Sequence, residues 1–279
     1  MFSAWAAWAQ DPTAILVEKK TNNLHVVKYV DGIYQIVKTY HATLGQVTGD
    51  KQDEGDLKTP EGIYTFVSKT TPPTLPAKFG EMGFNVSFPN TFDQLAGHQG
   101  SNIMLHATNE PERLKKNYDS QGCIVVRNEE IREIAPYIRL GLTPVIIFPE
   151  LADAYMKPGQ DVALRIFFEG WLKAWEGKDL DHYIDAYHSD FSAQGKNKST
   201  WREYKAQLNQ MYASIKIKAE QVLYYRHPKY SMITFTQDYT SKAVGGGWGH
   251  RSRGTKILYV AEESGKPKII AETYTALSW

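Results

Sequence analysis

The sequence has little cysteine, no excess of charge and no long hydrophobic run. Cys123 is the one cysteine among 279 residues, which excludes an intramolecular disulfide and a cysteine-cluster metal site. The 32 Lys and Arg residues balance 31 Asp and Glu residues, for a net charge of +1. Because no basic field is available to hold a polyanion, we expect no nucleic-acid partner. Apolar runs such as residues 144–148 (PVIIF) are far shorter than the roughly 20 residues of a membrane span, so we expect no transmembrane segment.

The composition is that of a folded protein with a well-filled core. Hydrophobic residues make up 42% of the chain and aromatic residues 13%, which excludes intrinsic disorder. At roughly 100–200 residues per domain, the length leaves room for one large or two modest domains.

We interpret residues 1–13 as an N-terminal extension. Ala7-Trp8-Ala9 has the small-x-small form of a signal-peptidase site, although no basic segment precedes it. Two interpretations stay open, the remnant of a trimmed export signal and a short amphipathic helix. If the protein is exported, its single thiol is in an oxidising compartment, and this suggests a chemical role for Cys123.

Strand and turn signals dominate the first domain, which we place at residues 14–150. Short β-type runs separated by Asn, Asp and Gly turns predict a β-meander. These runs are residues 15–19, 24–29, 34–40 and 63–67. Residues 70–90 contain four prolines and predict a long surface loop or lid. Asn128 is expected to cap a helix that Pro136 kinks or ends.

The pattern changes around residues 149–159, where we place the domain boundary, and the second domain covers residues 159–279. Apolar stripes at helical spacing come first, followed by alternating strands and a glycine-rich hairpin. The order of helices before an antiparallel sheet predicts an α+β domain.

The chemistry of the sequence is concentrated around His106 and Cys123. A histidine that accepts the thiol proton makes a thiolate–imidazolium pair, which is the minimal set for nucleophilic catalysis. Gly122 allows the chain to turn tightly and expose the sulfur, and its amide and that of Cys123 are candidates for an oxyanion hole. Acidic residues near position 50 do not follow a calcium-loop pattern, and we predict neither a metal nor a cofactor.

Residues 106–108 (HAT) and 120–124 (SQGCI) resemble the active-site signature of the L,D-transpeptidase (YkuD-like) family. Residues 58–62 (KTPEG) resemble the Thr-Pro-x-Gly turn of that family. The resemblance implies a mainly β catalytic domain, β-sandwich-like with short helices.

The resemblance also implies a reaction, attack by Cys123 on the bond between diaminopimelate and the terminal D-Ala of a peptidoglycan stem peptide. His106 would act as base and then as acid, oriented by the backbone carbonyl of Ala107. Transfer to an amine forms a cross-link or exchanges a D-amino acid, and transfer to water leaves a tripeptide.

Six residues are candidates for substrate binding, because an acidic peptide needs fixed cationic and polar partners. They are Ser120, Gln121, Arg127, Lys58, Thr108 and Arg113. The sequence departs from the family pattern at Ala107 (usually Gly), Gln121 (usually His) and Val125 (usually Arg or Asn). Arg127 lies on the same strand face as Val125 and is a candidate to replace that polar residue; the alternative is a solvated charge at a strand end.

The second half contains Tyr187, Phe191 and Trp201, followed by residues 235–239 (FTQDY) and 254–258 (GTKIL). With these residues it resembles an NTF2-like domain over about residues 161–277, and the resemblance implies a curved sheet with helices that form a cone. The two domains together resemble periplasmic L,D-carboxypeptidases that trim tetrapeptides to tripeptides in curved and helical bacteria, and imply a periplasmic location. Tyr183, Tyr187 and Tyr239 give the expected cone an aromatic lining without an acid/base pair, which favours a binding or dimerisation module, with a homodimer as one expectation.

Three functions therefore stay open. The first is an L,D-carboxypeptidase, the second is an L,D-transpeptidase, and the third is a non-catalytic peptidoglycan-binding scaffold, which the three departures from the family pattern motivate.

Overall fold

The computed structural model describes residues 11–277, so the expected N-terminal extension lies almost entirely outside the described residues. The chain forms two compact units. The first comprises residues up to 93 and 97–156, and the second comprises residues 94–96 and those from 157 onward.

The part of the first unit that the structure describes, from residue 11 onward, contains ten strands. They are β1 (Thr13–Glu18), β2 (Asn23–Val30), β3 (Ile33–His41), β4 (Leu44–Gly45), β5 (Gly62–Thr70), β6 (Gly83–Val86), β7 (Met104–His106), β8 (Tyr118–Ser120), β9 (Ile124–Val125) and β10 (Pro144–Phe148). Eight of them form one sheet in the order β3-β2-β1-β10-β5-β6-β7-β9, and β4 pairs with β8 in a small parallel sheet.

The centre of the large sheet is the parallel pair β1 and β10. Both strands are near-continuous apolar runs and are buried almost throughout, as expected for strands covered on both faces. The predicted meander is present as β1–β2–β3, with turns in which Asn22, Asp31 and Gly32 take positive φ. Such φ values match the right-handed twist of the paired strands.

Among the described residues, two α-helices and four 3₁₀ segments accompany these strands. They are α1 (Thr91–Leu95), α2 (Asn128–Ile134), Ala77–Phe79, Pro111–Lys115, Ala135–Tyr137 and Asp153–Met156. Residues 94–95 at the end of α1 are grouped with the second unit. The prediction that Asn128 caps α2 is wrong, because Arg127 is the N-cap residue and Asn128 already has helical geometry. The amide of Asn128 instead bonds neighbouring segments, accepting from the Glu81 backbone N–H at 2.9 Å and donating to the Thr108 carbonyl at 3.2 Å.

The second unit contains three α-helices and a six-stranded sheet. The elements are α3 (Val162–Glu176), α4 (Leu180–Asp185), β11 (Tyr187–Ala193), β12 (Lys196–Asn197), α5 (Lys198–Met211), β13 (Tyr212–Arg226), β14 (Ser231–Ala243), β15 (Trp248–Glu263) and β16 (Lys266–Ala276), with a 3₁₀ segment at Pro158–Gln160. The strand order is β12-β11-β16-β15-β14-β13. The helices precede the long antiparallel strands, as predicted, but the sequence analysis missed β11, which pairs in parallel with β16.

The apolar stripe of α3 accounts for its packing. Asp161 caps the helix by accepting from the Leu164 N–H at 3.0 Å, which satisfies one of the unpaired N-terminal amides. Phe168, Trp171 and Trp175 follow at helical spacing and are all buried. The predicted fold class, a mainly β domain followed by an α+β cone, is confirmed. None of the helices in residues 11–277 combines the length and hydrophobicity that a bilayer crossing requires.

Candidate active site

His106 is the last residue of β7, and Cys123 directly precedes β9, the parallel strand that pairs with β7. In the β7–β9 pair, Leu105 is opposite Ile124 and His106 is opposite Val125. The Val126 N–H closes the pair by donating to the His106 carbonyl at 3.0 Å. Because side chains alternate along a strand, Cys123 shares the face of Val125 and therefore that of His106.

The imidazole of His106 is buried and oriented by the main chain. Its Nδ1 lies 2.5 Å from the carbonyl oxygen of Ala107, so Nδ1 carries the proton and Nε2 is the nitrogen left to accept one. The ring of Phe79 stands perpendicular to the imidazole, with 4.7 Å between the two ring centroids. Burial lowers the pKa of His106 to about 4; the bond to Ala107 opposes the shift, and the charges of Arg113 and Lys78 add to it.

Cys123 is a partly exposed residue whose sulfur lies 3.7 Å from the carbonyl oxygen of Asn102. Burial of the sulfur raises the pKa of the thiol, although the backbone of Met104 and the charges of Arg113, Lys51 and Lys78 act in the opposite direction. Both shifts favour the uncharged form of the group concerned, which is the neutral imidazole for His106 and the protonated thiol for Cys123. The thiolate–imidazolium pair expected from the sequence stays a prediction.

The turn before Cys123 requires glycine. Gly122 has a φ of 120°, and a Cβ at this position would lie 2.7 Å from the carbonyl oxygen of Lys58. The Gly122 N–H donates to Ser120 Oγ at 3.1 Å, and Ser120 Oγ donates to the Cys123 carbonyl at 2.6 Å. The Gly122 amide expected at an oxyanion is thus engaged by Ser120, whereas the Cys123 amide has no acceptor in the part of the chain described.

Two further backbone segments pack behind this turn. The Gly45 N–H donates to Thr59 Oγ1 at 2.9 Å, and a Cβ on Gly45 would lie 2.8 Å from the Thr59 nitrogen. The Gln46 N–H donates to the Ser120 carbonyl at 2.9 Å. Residues 45–46, 57–59 and 120–122 therefore stack at backbone contact, and we call them the three-segment stack.

Asp56 stabilises the loop at residues 51–58, which leads into the three-segment stack. Its carboxylate accepts from Lys51 Nζ at 2.8 Å and from the backbone N–H groups of Gln52, Asp53 and Lys58 at 2.9–3.2 Å. Burial pushes the pKa of Asp56 upward, but these hydrogen bonds outweigh it and lower the pKa to about 2. The loop at residues 51–58 is thereby held around one carboxylate.

Arg113 is the predicted substrate-binding cation that the structure brings to the site. It lies in the 3₁₀ segment Pro111–Lys115, and its charge acts on both His106 and Cys123. Asp119 positions it, since Arg113 Nε lies 3.2 Å from Asp119 Oδ2 and Nη2 lies 3.0 Å from the Asp119 carbonyl oxygen.

The other candidates have different surroundings. Arg127 donates to Glu130 Oε1 at 3.0 Å on its own helix. This bond favours the interpretation of Arg127 as a charge at a strand end, and not as a replacement for the polar residue that the family usually has at the position of Val125. Thr108 is buried, and its hydroxyl accepts from the Glu110 N–H at 3.0 Å. Gln121 is exposed. Lys58 contributes its carbonyl behind Gly122, and its ammonium has no ion pair among residues 11–277.

A cavity of about 310 Å³ lies in the second unit. Its lining includes Trp175, Trp201 and three charged side chains, Lys205, Lys256 and Glu272. Lys256 bonds Glu272. Burial lowers the pKa of Lys205 to about 7; the charge of Glu272 opposes this shift and that of Lys256 adds to it.

Of the three tyrosines expected to line the cone, Tyr239 lines this cavity, and the sequence analysis missed its charged residues. It expected Tyr183 and Tyr187 in an aromatic cone without an acid or base, and the structure shows their hydroxyls bonded to each other at 2.6 Å. Tyr187 also donates to Glu272 at 2.9 Å. Lys256 lies at two-residue spacing from the buried Leu258 and Val260 on β15, and this spacing is the signal that could have placed it on the inner face.

Profile comparisons match both halves of the chain. Residues 12–147 match the L,D-transpeptidase catalytic domain (YkuD), and residues 163–273 match the Cds6 C-terminal NTF2-like domain. The chain belongs to the L,D-transpeptidase family, in the form that carries an NTF2-like domain after the catalytic domain.

Solved structures share this whole architecture. Bd1075 from Bdellovibrio bacteriovorus is 31% identical, with a TM-score of 0.82, and the match covers 98% of this chain and 95% of that one. Pgp2, a helical cell shape determining protein from Campylobacter jejuni, is 25% identical, with a TM-score of 0.77, over 95% of this chain and 92% of that one.

A curated relative matches over a shorter stretch. The protein named "Putative L,D-transpeptidase YafK" from Escherichia coli (strain K12) is 26% identical over 166 residues, which are 57% of this chain. The match spans 63% of the length of that relative.

Proposed function

We propose that the protein is a periplasmic peptidoglycan-modifying enzyme, an L,D-carboxypeptidase that removes the terminal D-Ala from stem tetrapeptides. The observation that carries the proposal is the hydrogen bond from His106 Nδ1 to the Ala107 carbonyl, because it leaves Nε2 as a proton acceptor on the strand face that Cys123 shares. The family assignment supports the substrate class, and the two-domain architecture shared with Bd1075 and Pgp2 supports a role in cell shape.

Because both pKa shifts favour the uncharged forms of His106 and Cys123, we infer that the proton moves as the bond forms. Cys123 Sγ attacks the carbonyl carbon of the diaminopimelate L-centre while its proton passes to His106 Nε2, and a tetrahedral oxyanion results. The Cys123 amide is the donor available to that oxyanion. As the intermediate collapses, the C–N bond breaks and His106 returns the proton to the amine of D-Ala, which leaves a thioester on Cys123.

Water completes the reaction. His106 Nε2 takes a proton from the water that attacks the thioester carbonyl, and then returns it to the sulfur as the C–S bond breaks. The products are the tripeptide and free D-Ala. An amine that replaced water in this step would give a cross-link or an exchanged D-amino acid, so the acceptor is the point that needs an experiment.

The test is mass spectrometry of disaccharide-tetrapeptide incubated with the protein, with and without an added D-amino acid. We expect tripeptide and D-Ala in both samples, and neither product with Cys123→Ala. His106→Ala is expected to lose at least the roughly 10²–10⁴-fold that a general base contributes. Dimers or exchanged peptides would identify a transpeptidase instead, and unchanged tetrapeptide in every sample would favour a binding scaffold.

A further inference from the structure

The 3₁₀ turn at Ala77–Phe79 forms one wall of the site and was not singled out by the sequence motifs. Its Phe79 ring packs edge-on against the His106 imidazole. A Cβ on the following residue, Gly80, would lie 2.7 Å from the Cβ of Ala107. The turn is therefore in backbone contact with the residue that orients His106.

Hydrogen bonds hold this turn on both sides. Asn109 Nδ2 donates to the Ala77 carbonyl at 2.7 Å, and the Glu81 N–H donates to Asn128 Oδ1 at 2.9 Å. Because the backbone is bonded before and after it, the position of Lys78 is fixed relative to His106, although its side chain is exposed.

Lys78 places a positive charge at the rim of the site. Its Nζ lies 5.0 Å from the centroid of the Phe79 ring, and that ring contacts His106. Its charge is felt at both reacting groups, since it lowers the pKa of His106 and also acts on Cys123.

Two cations act on both His106 and Cys123, and they differ in what they already bind. Arg113 is bonded to the carboxylate and the carbonyl of Asp119. Lys78 has no acidic partner among residues 11–277. An anionic group of the substrate would therefore meet a charge on Lys78 that no carboxylate of the protein neutralises.

We propose that Lys78 binds the terminal carboxylate of the stem peptide and thereby restricts the enzyme to the last peptide bond. This inference rests on the proposed function. In a substrate that ends in D-Ala, the carboxylate carbon is three bonds from the carbonyl carbon that Cys123 attacks. A cation close to the site is well suited to bind that carboxylate. Lys78 lies on the turn whose Phe79 ring contacts His106, and its charge acts on His106 and Cys123 and has no acidic partner among residues 11–277.

The kinetic test compares a tetrapeptide that ends in D-Ala with the same peptide ending in D-alaninamide. Loss of one charge-assisted hydrogen bond predicts that Lys78→Gln raises KM for the free acid about ten- to hundredfold and leaves kcat close to the wild-type value. The wild type should prefer the acid to the amide by a similar factor, and Lys78→Gln should lose that preference. A Lys78→Gln enzyme that still prefers the acid would overturn the proposal.

Lys69→Gln is the matched control, because Lys69 is exposed on β5 and its Nζ also lies over a phenylalanine ring, 5.7 Å from the centroid of Phe84. It should leave both KM values unchanged. If Lys69→Gln weakened the acid preference as much as Lys78→Gln, the effect would be one of general charge and the specific assignment would be wrong.

Calorimetry separates this proposal from the proposed function. The tetrapeptide is titrated into Cys123→Ala and into Cys123→Ala/Lys78→Gln, neither of which requires turnover. Weaker binding by the double variant supports the carboxylate contact even if the wild type proves inactive. Equal binding by the two variants, or binding by neither, overturns it.

Discussion

The Nδ1–H of His106 donates to the carbonyl oxygen of its own neighbour, Ala107, over 2.5 Å. A backbone carbonyl thus fixes the tautomer and the ring orientation that a carboxylate provides in many catalytic triads. A carbonyl carries no full charge, so it stabilises an imidazolium less than a carboxylate would. Burial lowers the pKa of the imidazole and raises that of the thiol, and both shifts favour the neutral forms.

The first prediction concerns the reactivity of the thiol. Because burial raises the pKa of Cys123, alkylation by iodoacetamide should be slow near pH 7 and should still be increasing above pH 9. His106→Ala should shift this pH profile little, since the imidazole is uncharged at these pH values. Rapid labelling at pH 6–7 that disappears in His106→Ala would instead show a thiolate–imidazolium pair.

The second prediction is the acid limb of the pH–rate profile. Nε2 can accept the thiol proton only while the imidazole is neutral, and the pKa of His106 is lowered to about 4. The profile of kcat/KM should therefore fall below about pH 4, well under the range where an ordinary histidine titrates. An acid limb near pH 6.5 would show that His106 is not desolvated in the working enzyme.

The third prediction concerns the two effects of replacing Gly122, which are the backbone strain of its positive φ and the steric clash with the Lys58 carbonyl. An alanine there meets both a φ of 120° and the Lys58 carbonyl at 2.7 Å, so Gly122→Ala should lower stability by roughly 2 kcal/mol or more and abolish turnover. Gly141→Ala is the matched control, because its φ is 73° but nothing lies within 4 Å of the new Cβ. It should cost about 1 kcal/mol and leave turnover intact. Equal losses of stability in urea titrations would refute the role of the Lys58 contact.

The fourth prediction is a pH-dependent contribution from Asp56. Its pKa is lowered from 3.8 to about 2, so the stabilisation is fully present above pH 4 and is lost as the pH falls toward 2. After allowance for solvent screening, Asp56→Asn should cost about 1 kcal/mol at pH 7, and the two proteins should converge near pH 2. Asp53→Asn is the control, since the Asp53 carboxylate has no partner among the described residues, and its stability should match that of the wild type. A stability difference between Asp56→Asn and the wild type that stayed constant from pH 7 to pH 2 would contradict the assignment of this pH dependence to Asp56.

The fifth prediction concerns Lys205 in the second unit. Its pKa is lowered from 10.5 to about 7, so between these pH values the unfolded chain binds more protons and stability should increase with pH, by at most about 1.4 kcal/mol per pH unit. Lys205→Met should remove that slope, and Lys216→Met, at an exposed position on β13, should retain it. Unfolding of this unit can be followed by the fluorescence of Trp175 and Trp201. If the stability of Lys205→Met still increased with pH, another group would be responsible for the pH dependence.

Sequence reasoning succeeded where the structure depends on residues close together in the chain, as in the β-meander, which follows from local turns. The catalytic roles of His106 and Cys123 were inferred from motifs that each occupy a few positions, and they stay predictions. Asn128 was misassigned because a local capping preference competes with tertiary bonds to Glu81 and Thr108, which no local pattern contains.

The remaining parts of the site are set by long-range contacts. Lys78 lies 28 residues before His106 in a segment with the composition of a loop, and only the fold places its turn against the imidazole. The same holds for Lys205 and Glu272, which come from α5 and β16 and meet in one cavity. Their positions depend on how helices and strands pack, so composition and spacing did not reveal them.

The three-segment stack has a consequence for protein engineering. The turn at residues 120–122, which precedes Cys123, is shaped by backbone from residues 45–46 and 57–59, and glycine is needed on two of the three layers because a methyl group would separate them. A linear graft of residues 120–124 onto another scaffold would carry the thiol but not its geometry. A functional transplant needs all three layers together with Thr59, so the smallest portable unit of this chemistry is discontinuous in sequence.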